Sequence, residues 1–248
     1  STLIKQIKEQ AAYLKEKQSL EIKIVGLSNS KKMLFNAEGI DLENWKEQLL
    51  ASDKATSFTG FINQMKEMNL SNTIFIDNTA NKKIATHYED ILESSISIST
   101  PNKVATSSSY LQYQTLKETA TKRGVQFMYE TNVGAGLPVI STLNDLINSG
   151  DRIIKIEGIL SGSLSFIFNS FKEGTKFSEI VKEAKRLGYT EPDPREDLSG
   201  LDVRRKLIIL SRETGLAMEP EHVAIQNILP QACNDAATVE QLLIELEK

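Results

Sequence analysis

The densest chemistry in the chain lies in the run Gly188-Tyr189-Thr-Glu191-Pro-Asp193-Pro-Arg195-Glu-Asp197-Leu-Ser-Gly-Leu-Asp202-Val-Arg-Arg-Lys206. Two prolines fix φ across an acidic turn, holding its carboxylates before a helix that Asp197 or Ser199 can cap. On that helix Asp202 and Lys206 stand at i and i+4 and share one face. Ile209 and Leu210 flank the pair on the helical wheel, which puts two charges on the apolar side. A lone Asp-x-x-x-Lys is ordinarily a solvated ion pair. Several carboxylates and a lysine around a rigid turn also suit an ammonium-bearing substrate, with the lysine exchanging a proton at a pKa lowered by burial. Both readings are open from these residues alone.

Other groups carry weaker signals. Glu130-Thr-Asn-Val133-Gly134-Ala135-Gly136-Leu137-Pro138 contains a Gly-x-Gly that lets backbone approach a ligand, but the third glycine of a dinucleotide fingerprint is absent, so a structural turn is an equal reading. Thr100-Pro101-Asn102-Lys103 puts an ammonium at a strand tip, where a solvated lysine is the simpler reading. Gly158-Ile-Leu-Ser161-Gly-Ser163 does not match Gly-x-Ser-x-Gly, and neither His87 nor His222 has a catalytic-looking context, which argues against a serine nucleophile. One cysteine, Cys233, rules out an intrachain disulfide, and with two histidines no Cys/His zinc site can be assembled.

The elements that must hold these groups alternate. Leu3 to Leu14 reads as a helix, Leu20 to Leu27 as a strand, and Leu42 to Leu50 and Phe58 to Met68 as helices. Then come strand Asn72 to Asp77, helix Asn81 to Ser94, strand Ile96 to Thr100, helix Ser109 to Arg123 and strand Val125 to Tyr129. This order predicts an α/β fold with a doubly wound, Rossmann-like parallel sheet whose ligands sit at the C-terminal strand ends: Asn29-Ser30, Asp77-Asn78-Thr79, Thr100 to Lys103 and Glu130 to Leu137. After Pro138 the pattern becomes helix Val139 to Asn148, strand Arg152 to Ile159, then helices Ser163 to Phe171, Phe177 to Leu187, Leu198 to Thr214 and Thr238 to Lys248. The division is a nucleotide-binding domain over 1–138 and part of an α+β substrate-binding and catalytic domain over 139–248, and both ends read as cut from a longer chain.

Composition bounds the rest. With 40% hydrophobic and 25% charged residues the 248-residue chain is globular and long enough for a sizeable core. Twenty-nine basic against 33 acidic residues, a net charge of −4, lack the basic excess of a phosphate-backbone binder. No window approaches the roughly 18 apolar residues of a membrane span, and the start is a charged amphipathic pattern without a signal-peptide core. The expected location is cytoplasmic, with a small-molecule partner and neither nucleic acid nor membrane.

Taken together, Glu130 to Pro138, Gly158 to Ser165 and Gly188 to Lys206 closely resemble homoserine dehydrogenase, over nearly the whole chain. The stretch Asn29-Ser-Lys and Gly39-Ile-Asp-Leu-Glu-Asn-Trp45-Lys-Glu resembles the dehydrogenase half of bifunctional aspartokinase/homoserine dehydrogenases. The resemblance implies interconversion of L-homoserine and L-aspartate 4-semialdehyde with NAD(P)H, in threonine and methionine biosynthesis. It makes Lys206 the acid/base and Lys103 a second lysine near the reacting oxygen. Glu191 and Asp202 would bind the substrate ammonium, supported by Asp197, Gly188 and Tyr189. Cofactor positions would be Asn29, Ser30, Lys31, Asn78, Thr79, Thr100 and Lys103. The loop of Glu130, Val133, Ala135 and Leu137 resembles the family's monovalent-cation loop and suits Na⁺. Lys31 and the missing acid at Asn29-Ser30 tilt the dinucleotide toward NADP over NAD.

The resemblance also implies an upstream aspartokinase domain in the same polypeptide and a homo-oligomeric parent. The family's first strand and Gly-x-Gly-x-x-Gly loop would precede Ser1, so this sheet lacks its first strand and the isolated chain is expected to bind NADPH weakly. Two other function classes remain: another nicotinamide dehydrogenase of a small amino acid, or a non-catalytic interaction or regulatory fragment.

Overall fold

The computed structural model describes residues 1–247, and packing groups the chain into two compact units, Ser1–Thr73 and Ile74–Lys248. In the first unit helix α1 (Thr2–Gln18) ends at Ser19, in the left-handed region at φ 53°. Strands β1 (Gly26–Ser28) and β2 (Met33–Phe35) pair antiparallel, Gly26 opposite Phe35 and Ser28 opposite Met33. Two helices follow, α2 (Trp45–Ala51) and α3 (Phe58–Met68).

The strand expected over Leu20 to Leu27 is thus corrected to three residues with an antiparallel partner. The cause is the polar cluster after it: Asn29 Oδ1 accepts from the N–H groups of Lys31 and Lys32, each at 2.8 Å. An Asx turn of this kind reverses the chain at once into a hairpin.

The second unit opens on three parallel strands in the order β3 (Ile74–Ile76), β4 (Ser97–Ser99), β5 (Phe127–Met128), with Ile74 opposite Ser97 and Ile98 opposite Phe127. Parallel neighbours need crossovers, supplied by α4 (Lys82–Ala85) and α5 (Tyr88–Glu93), then by α6 (Val104–Ser107) and α7 (Tyr110–Arg123). Tyr88, Ile91 and Leu92 of α5, Ile98 of β4 and Leu116 of α7 are fully buried and form the core of this sheet layer.

Beyond the sheet come α8 (Ile140–Asn148), α9 (Gly162–Ser170), α10 (Phe177–Arg186), α11 (Arg195–Leu198), α12 (Leu201–Glu213), α13 (Gln231–Asn234) and α14 (Val239–Glu245). A second core gathers Ile167, Val181, Ala184, Leu198, Leu229, Cys233 and Leu242.

Two expectations change here. The strand predicted over Arg152 to Ile159 carries no regular structure, and Ile154 and Ile159 stand 95% and 81% exposed. Alternation encodes a strand, but a strand exists only in a ladder, and no described segment pairs with this one. The helix predicted over Leu198 to Thr214 is broken into α11 and α12 at Gly200, whose φ of 76° favours glycine. That break lets α12 start afresh, with Asp202 in its first turn.

Candidate functional site

Asp202 is the hub. Its Oδ2 lies 2.7 Å from Lys206 Nζ, one turn along α12, and its Oδ1 lies 3.3 Å from Lys103 Nζ, at the start of α6 beyond the β4 tip. Lys206 also donates to Leu160 O at 2.7 Å. The Lys206 side chain is only 16% exposed, against 26% for Lys103 and 35% for Asp202. Burial pushes the Asp202 carboxyl up, but its bond to Lys206 and the charges of both lysines prevail and hold it below its ordinary value.

The carboxylates of the double-proline turn are spread out. Asp193 is gripped by Arg195, with Nε at 3.0 Å from both oxygens. Asp197 accepts from Ser163 Oγ at 2.7 Å and from Glu191 N–H at 2.8 Å, and Ser161 and Ser163 hydroxyls meet at 3.0 Å. The buried Ser161 and Ser163 are therefore scaffold: residues 160–163 tie Lys206, through Leu160 O, to the Asp197–Glu191 loop. Glu191 enters this cluster through its backbone, and its side chain is exposed. Gly188, at φ 75°, and Tyr189, whose N–H donates to Ala184 O, end α10, and the Tyr189 ring packs 4.8 Å from Phe166.

The strand tips are held by a buried polar network. Asp77 Oδ1 accepts from Thr79 N–H at 2.8 Å, and Oδ2 from Tyr88 OH at 2.6 Å and Asn102 Nδ2 at 3.0 Å. Thr100 turns inward, donating to Asp77 O at 2.9 Å and accepting from Asn102 N–H at 2.9 Å. Asn132 completes it, its amide oriented to donate to Thr100 O and Pro101 O and to accept from Thr106 Oγ1. Burial and the Asp77 bond push the Tyr88 hydroxyl far above its usual range, so it stays a neutral donor. Asn78 and Thr79 stand exposed at the β3 tip. Among the sequence-predicted cofactor positions, Thr100 thus holds the tip, while Asn29, Ser30 and Lys31 form the exposed β1–β2 turn of the other unit.

Of this network, Asp77, Asn102 and Asn132 lie in the strand-end stretches expected to meet ligands, and the structure buries them in mutual hydrogen bonds instead; Tyr88 was not among the predicted residues. The signal available for Asp77 and Asn102 was a short polar side chain directly after a strand. Tyr88 gave none, since its partners Asp77 and Thr100 lie 11 and 12 residues away on other elements and no local spacing encodes them.

Glu130 caps α8: Oε1 accepts from Ile140 N–H and Oε2 from Ser141 N–H, both at 2.7 Å. The loop before it turns through Gly134 (φ 77°) and Ala135 (φ 50°), and a Cβ on Gly134 would fall 2.6 Å from Val139. Val133 is buried and Leu137 is exposed. The described residues contain no cluster of three or more His, Cys, Asp or Glu suited to a metal. No described helix is long and apolar enough to cross a membrane.

Comparison with known proteins adds the following. The family described as homoserine dehydrogenase, NAD binding domain, matches residues 1–130, and that described as homoserine dehydrogenase matches 138–246. The chain is 42% identical over 246 residues to the chloroplastic bifunctional aspartokinase/homoserine dehydrogenase 1 of Zea mays, covering 99% of this chain and 27% of the maize protein. It is 44% identical over 213 residues to the homoserine dehydrogenase of Schizosaccharomyces pombe, covering 84% of this chain and 56% of that one. A solved Candida auris structure, described as a protein of unknown function, superposes with a TM-score of 0.83 at 39% identity, covering 96% and 68% of the two chains.

Proposed function

The chain belongs to the homoserine dehydrogenase family, and we propose on that footing that it supplies the dehydrogenase chemistry of its protein, interconverting L-homoserine and L-aspartate 4-semialdehyde with a nicotinamide dinucleotide. The observation that carries this reading is the Asp202 bridge, one carboxylate holding two lysines from different elements.

An ammonium has three donors. Lys206 spends one on Asp202 and one on Leu160 O, which leaves the third for a substrate oxygen. Its short tether on α12 holds that donor steady, as a general acid or base requires. In the reducing direction the Lys206 ammonium gives this third proton to the forming alkoxide; in homoserine oxidation Lys206 acts as the neutral amine, takes the hydroxyl proton and becomes the ammonium. Lys103 contributes a second positive charge beside the same oxygen. The exposed Glu191 carboxylate, with Asp202, takes the substrate ammonium, while Asp197 fixes the Glu191 backbone; Gly188 and Tyr189 shape that loop.

The dinucleotide, when bound, supplies or accepts the hydride at the carbon bearing this oxygen. The residues present fit it in part: the exposed Asn78 and Thr79, and Lys103, lie at C-terminal ends of parallel strands, where such sheets bind ligands. Thr100 serves by holding the tip, and Asn29, Ser30 and Lys31 are proposed for the ribose end, with Lys31 favouring NADP over NAD. No Gly-x-Gly-x-x-Gly occurs in the sequence. For the Glu130, Val133, Ala135 and Leu137 loop we propose a monovalent cation such as Na⁺, met by backbone carbonyls and by the Glu130 carboxylate that also caps α8.

The chain spans about a quarter of the maize relative's length. We propose that its parent also carries an aspartokinase domain, as the bifunctional relatives are named for one, and that it assembles as a homo-oligomer acting in threonine and methionine biosynthesis. The proposed division places the nucleotide domain over 1–138 and the substrate domain over 139–248. The proposed location is the cytoplasm, on the strength of a single, buried cysteine.

The direct test is homoserine oxidation by the parent protein with NADP⁺ or NAD⁺. Lys206→Ala should lower kcat by about 10²-fold or more, the scale of a lost general acid/base; undiminished turnover in that variant would remove Lys206 from the mechanism.

A further inference from the structure

The tip that carries Lys103 and the helix that carries Lys206 meet twice. The first meeting is the Asp202 bridge. The second lies at the far end of α12, where the side chain of Arg212 is fully buried. Its guanidinium donates through Nη1 to Thr106 O at 2.8 Å, through Nη2 to Ser108 O at 2.6 Å and through Nε to Met218 O at 3.0 Å. Glu219 lies 3.5 Å from Nη2, and the rings of Tyr110 and Tyr113 sit 5.7 and 5.3 Å from the guanidinium carbon.

Thr106 O and Ser108 O are the carbonyls where α6 ends, and α6 begins directly after Lys103. This short helix is therefore a strut with Lys103 at one end and the Arg212 fork at the other. From Arg212 back to Lys206 is less than two turns of α12, about 9 Å at the helical rise. Strut and helix are closed at both ends, so the register of Arg212 against the α6 carbonyls decides where Lys103 Nζ stands relative to Asp202.

We propose that Arg212 is a positioning residue for the two lysines: it sets the register between the α6 strut and α12 and so holds Lys103 against the Asp202–Lys206 pair. Resting as it does on the dehydrogenase reading, the proposal gives Arg212 no contact with substrate. A guanidinium suits the task because its planar donors are fixed relative to one another and match two carbonyls at one spacing. A lysine ammonium is a flexible point charge.

Arg212→Lys tests this in two ways. Zero-length carbodiimide coupling joins Asp202 to either lysine, and mass spectrometry compares the Asp202–Lys103 link with Asp202–Lys206, an internal reference within one helix. The variant should lower that ratio by about threefold or more, because the charge stays but the fork is lost. Ile209→Ala, which loosens α12 without touching the fork, should leave it unchanged. If Arg212→Lys does not fold, Glu219→Gln, which removes the carboxylate beside the guanidinium, should lower the ratio in the same direction.

In turnover, Arg212→Lys should lower kcat by about tenfold, on the scale of a sub-ångström misplacement, with KM for the dinucleotide held within about twofold, and should have no further effect in a Lys103→Ala background. An unchanged cross-link ratio in the folded variant, an equal fall in Ile209→Ala, or effects that multiply with Lys103→Ala would each overturn the proposal. A protein inactive on homoserine would instead overturn the dehydrogenase reading, while the cross-link ratio still decides the role of Arg212.

Discussion

Asp202 and Lys206 were legible because their contact is local: a four-residue spacing on a helix puts two side chains on one face whatever the rest of the fold does. Lys103 was legible only as a lysine at a strand tip, since its meeting with Asp202 spans nearly a hundred residues and no local spacing encodes it. The Asp202 carboxyl is held below its ordinary value by two lysines, and a group so shifted contributes stability that is present above its unfolded pKa and lost as pH falls through the folded one. Denaturant titrations should therefore find the wild type more stable than Asp202→Asn at pH 7, with the gap shrinking below about pH 4, near the unfolded aspartate value. A gap that widens toward acid would show that the carboxylate is not the stabilised form. Glu191, by contrast, is exposed and bound to this cluster only through its N–H. If its carboxylate takes the substrate ammonium, Glu191→Gln should raise KM for homoserine severalfold while leaving KM for the dinucleotide within about twofold, because only the former loses a charge-assisted bond. Equal changes in both would point to a disturbed fold.

At the scale of elements, the helices were largely legible and the strands only partly so. A helix satisfies its own backbone, so α3 and α7 appear over the residues their periodicity marks. A strand needs a partner that a local pattern cannot supply, which is why Arg152 to Ile159 alternates in sequence yet stands unpaired. Gly200 shows the opposite failure: a residue read as helix interior is the point where two helices are separated, and its backbone at φ 76° is one that an L side chain adopts only at a cost. A Cβ there would also stand 3.3 Å from Ile225 Cγ2. Gly200→Ala should destabilise the protein by about 1–2 kcal/mol, the penalty of a left-handed alanine, measured by urea denaturation. It should also reduce activity through the first turn of α12, where Asp202 sits. An alanine variant as stable as the wild type would mean that α12 can start without this break.

For the whole molecule, the sequence conveyed the alternation that builds the parallel layer, but not the grouping by packing, which depends on contacts among residues distant in the chain. The first unit, Ser1–Thr73, buries Ile4, Ile40, Leu49, Ile62 and Met65. The second holds two extended cores, one against β4 and one around Ile167, Val181 and Leu242. Hydrophobic stabilisation scales with the apolar area buried, and a small unit with few fully buried side chains is marginal on its own. Two units so unequal should not unfold as one, since single-transition behaviour belongs to single cooperative cores. The chain provides a reporter for the difference, because Trp45, its single tryptophan, begins α2 of the first unit. Tryptophan fluorescence should therefore lose its native signal at lower urea than far-UV circular dichroism, which is dominated by the helices of the second unit. The fluorescence transition should also show the smaller slope that goes with less surface exposed. Coincident transitions with one shared slope would show instead that the chain unfolds as a single cooperative body.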